Sequence, residues 1–295
     1  MSITPEQIRN FSTGMSDAYQ KGFSGSEPQF KKVATVVPSS TAAQDYGFLG
    51  VWPGIKEWVG DRQLKKLAEH GYTVTNKKFE SSIAVERDKI EDDLIGQYLL
   101  QAESIGQATN VYPDQLVFTL LCDGFDNPCY DGKSFFATDH PMGQGVASNI
   151  VGDIATDTGE PWFLLDCSRP LKPMVFQERR SFEFKALDDV FSDHVVKNDQ
   201  FIYAVDGRCN SGFGFWQMAI GSKAPLTEAN LNMARKLIRS FKADSDTPLG
   251  LKGTMLVVGG VNEAAAEKLL FASLTNGTTN TLYKKLDLVA SEYIS

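Results

Sequence analysis

The chain has 295 residues, and its 42% hydrophobic and 22% charged residues are typical of a folded soluble protein with a substantial core. Its 37 acidic and 29 basic side chains give a net charge of −8, which opposes a general affinity for nucleic acid phosphates. No apolar run reaches the roughly 20 residues that span a bilayer, and residues 1–7 lack the features of a signal peptide, so a cytoplasmic origin is expected.

The first residues predict a helix followed by an extended arm. Thr4 and Gln7 have the spacing of a capping box, with Pro5 in the first helical position, and a helix is expected over about 5–22. Residues 24–47 are rich in Ser, Gly, Pro and Thr and show no sustained period. They are expected to be extended, and ordered only where a surface supports them.

A two-stranded hairpin is predicted between residues 72 and 85, where the pattern has a period of two. The residues that share a strand face are Tyr72, Val74 and Asn76 in the first strand and Phe79, Ser81, Ile83 and Val85 in the second. Lys77 and Lys78 would lie near the turn, and residues 52–62 form a charged, strand-like stretch before it. A ribbon of this length is marginally stable by itself, so it is expected to lie on its own chain or on a neighbouring copy.

A long helix is predicted to follow the hairpin. Glu91, Asp92 and Asp93 place carboxylates at its N-terminus, where the helix dipole is positive. Apolar residues then recur at helical spacing to about Leu121. Pro113 either kinks this helix or begins a second one. Residues 123–160 are rich in loop signals. The remaining pattern predicts an α+β fold, with strands at 162–165, 173–178, 201–206, 212–220, 255–258 and 286–290 and helices at 227–241 and 262–274.

Residues with metal-binding chemistry are few and scattered. His70, His140 and His194 are each more than 50 residues from the next histidine. The spacing of Cys122 and Cys129 does not fit a zinc pair, and the four cysteines are too scattered for a disulfide scaffold. They are expected to be buried free thiols.

Catalytic patterns are equally weak. Asp139 and His140 could in principle serve a cysteine or serine nucleophile, but adjacency in space cannot be read from the sequence. Residues 212–217 begin like a dinucleotide-binding fingerprint but have Gln217 where the third glycine belongs. The sequence therefore predicts no catalytic residues, no cofactor-binding residues and no metal ligands, and the protein is not expected to be an enzyme.

Short motifs stand in a characteristic order along the chain. They are WVGDR at 58–62, HGY at 70–72, VER at 85–87, IEDD at 90–93, GQY at 96–98, YDGKSFFATDHP at 130–141, WFLLDCSR at 162–169 and RCNSGFGFWQ at 208–217. In this order they resemble the major head subunit of Mu-like phages and prophages. The resemblance covers nearly the whole chain from about residue 46.

The resemblance implies the tailed-phage major capsid fold, with an N-terminal arm, an extended two-stranded loop, a long spine helix, and peripheral and axial domains. On this chain the arm would be residues 1–47 and the extended loop 48–91. The spine helix and peripheral domain would occupy 92–224, the axial domain 225–285 and a C-terminal strand 286–295. The extended loop would then be the hairpin predicted from the period of two.

The same resemblance implies a major capsid protein that self-assembles into hexamers and pentamers of an icosahedral shell. The shell would enclose phage double-stranded DNA without sequence-specific binding. A scaffolding protein and a portal are implied as partners during assembly, and a decoration protein as a possible further partner. No membrane is implied. The protein would belong to the virion and assemble in the host bacterial cytoplasm.

The extended loop is expected to depend on neighbouring copies for its order. Residues 57–91 are expected to be mobile in isolated subunits, because a hairpin of this size lacks a core of its own. A second hypothesis is a crosslink between a lysine near Asn76 and an asparagine of a neighbouring copy, as in some related shells.

Two rival functions remain open from the sequence. A nanocompartment shell with the same fold would hold protein cargo instead of nucleic acid. A soluble enzyme with a cysteine or histidine nucleophile would need a preorganised site. Electron microscopy separates the enzyme from both shells, and an assay for DNA in the particles separates the shells from each other.

Overall fold

The computed structural model describes residues 4–50, 71–91, 96–143, 145–243, 247–275 and 278–295. Within these ranges the helices are α1 (Pro5–Ser24), α2 (Phe30–Val33), α3 (Arg87–Glu91), α4 (Gly96–Cys122), α5 (Asp193–Asn198), α6 (Glu228–Ser240) and α7 (Gly260–Phe271). No helix in the described ranges combines the length and apolar character needed to cross a membrane.

The strands of the described residues are mostly short, with three long exceptions. They are β1 (Ala34–Pro38), β2 (Ala43–Asp45), β3 (Thr73–Thr75), β4 (Lys77–Glu86), β5 (His140–Met142), β6 (Gly145–Ala147), β7 (Ile150–Val151), β8 (Trp162–Leu165), β9 (Met174–Leu187), β10 (Gln200–Phe213), β11 (Ala219–Ser222), β12 (Met255–Val258), β13 (Leu274–Thr275), β14 (Thr278–Thr279) and β15 (Asp287–Ala290). The long ones, β4, β9 and β10, belong to one sheet.

The first sheet has the strand order β1-β9-β10-β4. Its centre is the antiparallel hairpin of β9 and β10; β4 pairs antiparallel with β10, and β1 pairs parallel with β9. Along β10 buried and half-buried residues alternate, as expected for a sheet with one covered face. The covered face packs on α1 and α4, where Phe201 and Tyr203 join Phe11 and Met15 of α1 and Ala102 of α4 in one hydrophobic cluster.

The second sheet has the strand order β15-β12-β8-β11-β7. Its central strand β8 is completely buried and pairs antiparallel with β11 and with β12. Helix α6 packs on β7, β8 and β11, and α7 packs on β12 and β15. This sheet, its two helices and the C-terminal half of α4 share the larger hydrophobic core, to which α4 contributes Val117, Phe118 and Leu121.

Helices α1 and α4 cross at very short distance because each places a glycine at the crossing. A Cβ atom at Gly22 would lie 1.9 Å from the carbonyl oxygen of Glu103, and one at Gly106 would lie 2.1 Å from that of Tyr19. Lys21 adds an ion pair to Glu103 at 2.9 Å on the exposed side. The N-terminal helix is therefore a packed part of the subunit.

Helix boundaries agree well with the sequence predictions. The capping box of α1 is present, with the Thr4 side chain and the Gln7 side chain each bonded to the backbone of the other. Thr227 caps α6, and α4 runs without a break through Pro113. Helix α7 begins two residues earlier than predicted, at Gly260, because the Glu160 carboxylate accepts hydrogen bonds from the nearby Val261 and Asn262 backbone amides.

The predicted pairing of residues 72–85 as one hairpin is wrong. Strand β3 pairs with β2, and β4 pairs with β10 over ten residue pairs from Cys209↔Lys77 to Gln200↔Glu86. Lys77 and Lys78 thus lie in a strand and not in a turn. Residues 71–91 therefore pair with other strands of their own subunit, but the expected mobility of 57–91 in isolated subunits remains a prediction. Residues 51–70, including the stretch 52–62, lie outside the described residues.

Two other strands are longer than predicted. Strand β9 continues from the predicted 173–178 to Leu187, and β10 runs without a break from Gln200 to Phe213. The charged residues between 179 and 185 obscured the continuation, although Phe182 and Phe184 keep the period of two. Residues 24–47, predicted as an extended arm, form α2, β1 and β2 on the surface of their own subunit.

We expect Gly106→Ala to lower the free energy of unfolding by about 1–3 kcal/mol or more, because the added methyl group forces α1 and α4 apart. Urea unfolding of the isolated subunit measures this. Gly96→Ala is the matched control, because a Cβ atom at Gly96 meets no atom within 4 Å. Equal stability of the two variants would contradict the close-crossing interpretation.

Candidate functional site

The chain enters and leaves residues 51–70 through a base that is fixed to the first sheet. On the entering side are β2 and Tyr46, and on the leaving side are Tyr72 and β3. The two sides are joined by the β2–β3 ladder and by a hydrogen bond from the Tyr46 backbone amide to the Tyr72 carbonyl at 2.8 Å. We call residues 43–46 and 72–76 the loop base.

Gln177 of β9 is the central contact beneath the loop base. Its side chain is completely buried; its Oε1 accepts the Tyr46 hydroxyl at 2.9 Å and its Nε2 donates to the Val74 carbonyl at 3.1 Å. Burial raises the pKa of Tyr46 to about 12, so its hydroxyl remains a donor at neutral pH. One amide side chain thus connects both sides of the loop base to the sheet.

Three further polar contacts hold the leaving side. The Tyr72 hydroxyl accepts the Phe213 backbone amide at 2.9 Å, and burial raises the pKa of Tyr72 to about 12. Asn210 donates to the Thr75 carbonyl at 2.7 Å, and Asn76 donates to the Thr41 carbonyl at 2.9 Å. The loop base is therefore held by polar contacts to residues of β9 and β10.

The structure places Asn76 inside the subunit. Its side chain is 7% exposed and is hydrogen-bonded to Ser39 and Thr41. The hypothesis of a crosslink between a lysine near Asn76 and an asparagine of a neighbouring copy remains untested. Asn76 itself would have to leave these contacts in order to react.

We expect Gln177→Ala to lower the free energy of unfolding by about 1–3 kcal/mol, because it removes two buried hydrogen bonds, one to the Tyr46 hydroxyl and one to the Val74 carbonyl. Hydrogen exchange should quicken at residues 43–46 and 73–75 of the same variant. Gln107→Ala, on the exposed face of α4, serves as the control. Unchanged exchange at the loop base would show that Gln177 does not hold it.

A second polar cluster lies in the loop region 126–142. The His140 ring is fully buried, with Nδ1 2.7 Å from Asp131 Oδ2 and Nε2 3.3 Å from the Phe135 carbonyl. The ring stacks on Trp216, with centroids 4.1 Å apart and planes 7° from parallel. The Cys129 thiol donates to the other Asp131 oxygen at 3.2 Å. The fold thus brings together residues that are scattered in the sequence.

The arrangement of this cluster does not fit a nucleophilic site. The carboxylate lies between the thiol and the imidazole, whereas a Cys-His pair needs the imidazole beside the thiol. Both ring nitrogens of His140 face oxygen atoms, those of the Asp131 carboxylate and the Phe135 carbonyl, so neither is directed at the thiol. Burial raises the pKa of the Cys129 thiol far above its usual range, which keeps it protonated.

The same three residues are the one group within the described chain whose ligand atoms lie close enough together, within 4.8 Å, to hold a metal ion. Their donors and acceptors are already paired with each other and with the Lys133 backbone amide, 3.0 Å from Asp131. The geometry fits a buried hydrogen-bond network that stabilises the loop. The predicted absence of catalytic, cofactor and metal residues stays a prediction.

The four cysteines are free thiols in the structure, and the predicted burial holds for two of them. Cys129 and Cys209 are buried, while Cys122 and Cys167 are half-buried. Burial raises the pKa of Cys122 to about 11 and those of Cys167 and Cys209 to about 12. These thiols are therefore poor nucleophiles at neutral pH.

The Asp131–His140 contact makes a specific prediction for acid stability. Burial alone would raise the pKa of Asp131, but its hydrogen bonds to His140 and to Lys133 lower it below the usual value. A depressed folded-state pKa stabilises the fold at pH values above the ordinary carboxyl pKa, and this contribution is lost as the pH falls through the folded value. The stabilisation should thus be complete at neutral pH and disappear in acid.

We expect Asp131→Asn to be about 1–3 kcal/mol less stable than wild type at pH 7. The difference should shrink as the pH falls below about 4, because wild type then also loses its carboxylate. Denaturant unfolding between pH 2 and 7 measures it. The control is Asp139→Asn, whose carboxylate is 52% exposed beside Lys133. A stability difference independent of pH would refute the role of the Asp131 carboxylate.

Comparison with known sequences gives a consistent result. Residues 8–294 match the family described as Mu-like prophage major head subunit gpT. The chain is 41% identical to the major capsid protein of Escherichia phage Mu over the full length of both sequences. It is 40% identical to the Mu-like prophage FluMu major head subunit of Haemophilus influenzae, covering 91% of this chain and 90% of that protein.

Comparison with solved structures agrees. The fold matches a subunit of the bacteriophage JBD30 procapsid with a TM-score of 0.87 and 37% identity, covering 99% of this chain and all of that one. A subunit of the JBD30 capsid matches with a TM-score of 0.80 and 28% identity over 92% of each chain. A JBD30 capsid decorated with minor capsid protein trimers gives a TM-score of 0.75 at the same identity and coverage.

Proposed function

The chain belongs to the Mu-like prophage major head subunit family, and from this membership we propose that its copies form hexamers and pentamers of a closed icosahedral shell around double-stranded DNA. The protein is a major capsid protein, a structural component of the virion that assembles into a capsid lattice. The observation that carries the proposal is the match to a procapsid subunit over 99% of the chain.

The two sheets supply a physical basis for the domain division. We propose that the sheet containing β9 and β10 is the core of the peripheral domain, with α4 as the spine helix. The five-stranded sheet is then the core of the axial domain. Strands β7, β8 and β11 lie before residue 224 and pair within that sheet, so the axial domain draws on residues from both sides of the predicted boundary.

The charge of the chain is compatible with a shell that contains DNA, and the capsid protein is proposed to have several assembly partners. A net charge of −8 suits a lining that contains packaged DNA without binding it tightly or by sequence. A scaffolding protein and a portal would act during assembly in the host bacterial cytoplasm. The minor capsid protein trimers on the JBD30 capsid support a decoration protein as a further partner. In the buried Cys129–Asp131–His140 cluster the carboxylate lies between the thiol and the imidazole, which supports a structural role for these residues.

Assembly of the purified protein tests this function. We expect electron microscopy to show closed particles, and particles taken from infected cells to hold nuclease-protected double-stranded DNA. Protein cargo in place of DNA would favour the nanocompartment function. Persistent monomers that turn over a substrate would overturn the shell function altogether.

A further inference from the structure

The solvent face of the first sheet carries two rows of like charges. Asp206 of β10 lies opposite Glu80 of β4 and Glu183 of β9, and we call these three the acidic row. Two residues further along β10, about 7 Å away, Arg208 lies opposite Lys78 of β4 and Arg180 of β9, the basic row. Like charges directly opposite on neighbouring strands destabilise a sheet. Each row is therefore expected to form ion pairs with opposite charges.

Ion pairs within the subunit engage most of the acidic row but leave two residues of the basic row without an ion pair among the described residues. In the acidic row, Asp206 forms ion pairs with Arg180 and with Lys185, which is 2.7 Å away and also 3.9 Å from Glu183. In the basic row, Lys78 and Arg208 form no ion pair with any described residue. The Arg208 Nε atom is moreover buried without a hydrogen-bond acceptor among the described residues. The charges of Lys78 and Arg208 are therefore not compensated by the described part of the subunit.

A complementary surface lies at the far end of the same hairpin. Residues 188–199, the hairpin tip, contain four aspartates and one lysine. The Asp193 side chain is 95% exposed and lies 3.2 Å from the Lys197 ammonium group, which is also exposed, and Phe191 and Val196 are 87% and 70% exposed. Exposed apolar residues beside charges at the end of a rigid hairpin are typical of a protein contact surface.

The hairpin tip cannot reach the basic row of its own subunit. Arg208 is eight residues from Gln200, where β10 leaves the tip, and an extended strand of that length spans about 27 Å. A contact between the two surfaces must therefore join different copies. Because the surfaces differ, the contact is heterologous and can be repeated around a ring.

We propose that the hairpin tip of one subunit docks on the basic row of a neighbouring copy, with the carboxylates of Asp189 and Asp193 facing Lys78 and Arg208. The proposal rests on assembly of the chain into a shell. A second copy fits better than DNA, because the hairpin tip offers two discrete carboxylates for two cations. A continuous phosphate backbone would also extend over the acidic row, about 7 Å away, and be repelled there. The contact would set the register between copies more than add affinity.

Charge reversal with rescue tests the contact. Lys78→Glu with Arg208→Glu should slow assembly at low salt by about tenfold or more, and Asp189→Lys with Asp193→Lys should do the same. Combining all four substitutions should restore the rate to within about threefold of wild type, because opposite charges face each other again. Light scattering gives the rate, electron microscopy identifies the particles, and circular dichroism with thermal melting confirms that the subunits are folded.

Two further variants separate the docking from other effects. Lys268→Glu with Lys285→Glu makes the same change in net charge on exposed residues away from the first sheet and should assemble faster than the basic-row variant. Lys78→Gln with Arg208→Gln replaces the glutamate variant if that one does not fold, and should slow assembly by a smaller factor.

The outcomes distinguish this docking from the shell function. Failure of wild type to assemble would overturn both. Assembly of the basic-row variant at the rate of the lysine control would overturn the docking alone, as would failure of the four-substitution variant to recover while its subunits remain folded. Normal assembly of the basic-row variant with loss of particle DNA would assign the basic row to nucleic acid.

Discussion

Burial of one face of helix α4 from Ala102 to Leu121 is the constraint on which the rest of this subunit depends. The helix has 27 residues and spans about 40 Å. Ala102 belongs to the hydrophobic cluster beneath the first sheet, whereas Phe118 and Leu121 belong to the larger core of the second. The two sheets are thus joined through one rigid element. A subunit that transmits forces across a shell benefits from such a continuous connection.

The close approach of α1 extends the same constraint to the N-terminus. Gly22 and Gly106 let the two helices meet backbone to backbone, and the buried Asp114 carboxylate on α4 accepts the Gln29 and Phe30 amides at 2.9 and 2.6 Å. Burial raises the pKa of Asp114 despite these hydrogen bonds. The segment that resembles a free arm in sequence is therefore fastened to the spine helix at two places.

The polar residues inside the subunit have positional roles. Gln177 joins both sides of the loop base to β9, and the Asp131–His140 pair braces the loop between α4 and β7. Each buried donor or acceptor in these contacts would cost free energy if it lost its partner, so the contacts specify one conformation. This explains how residues associated with catalysis in other proteins serve a structural protein whose function lies in its surfaces.

The sequence by itself determined the features that depend on neighbours in the chain. The capping box at Thr4, the cap at Thr227, the period of α4 and the buried strands at 162–165 and 255–258 were all predictable, because each is set by residues within a few positions. The order of the motifs also led to the capsid family, which the comparisons confirmed.

Only the tertiary structure decided which strands pair and which polar groups meet. The period of two predicted strands near Tyr72 and Phe79, but it could not show that β3 pairs with β2 and β4 with β10, more than 100 residues away. The same holds for Asp131 with His140, and for Lys78 beside Arg208. Strand pairing depends on the burial of whole faces, and a face is complete only when distant segments of the chain have come together.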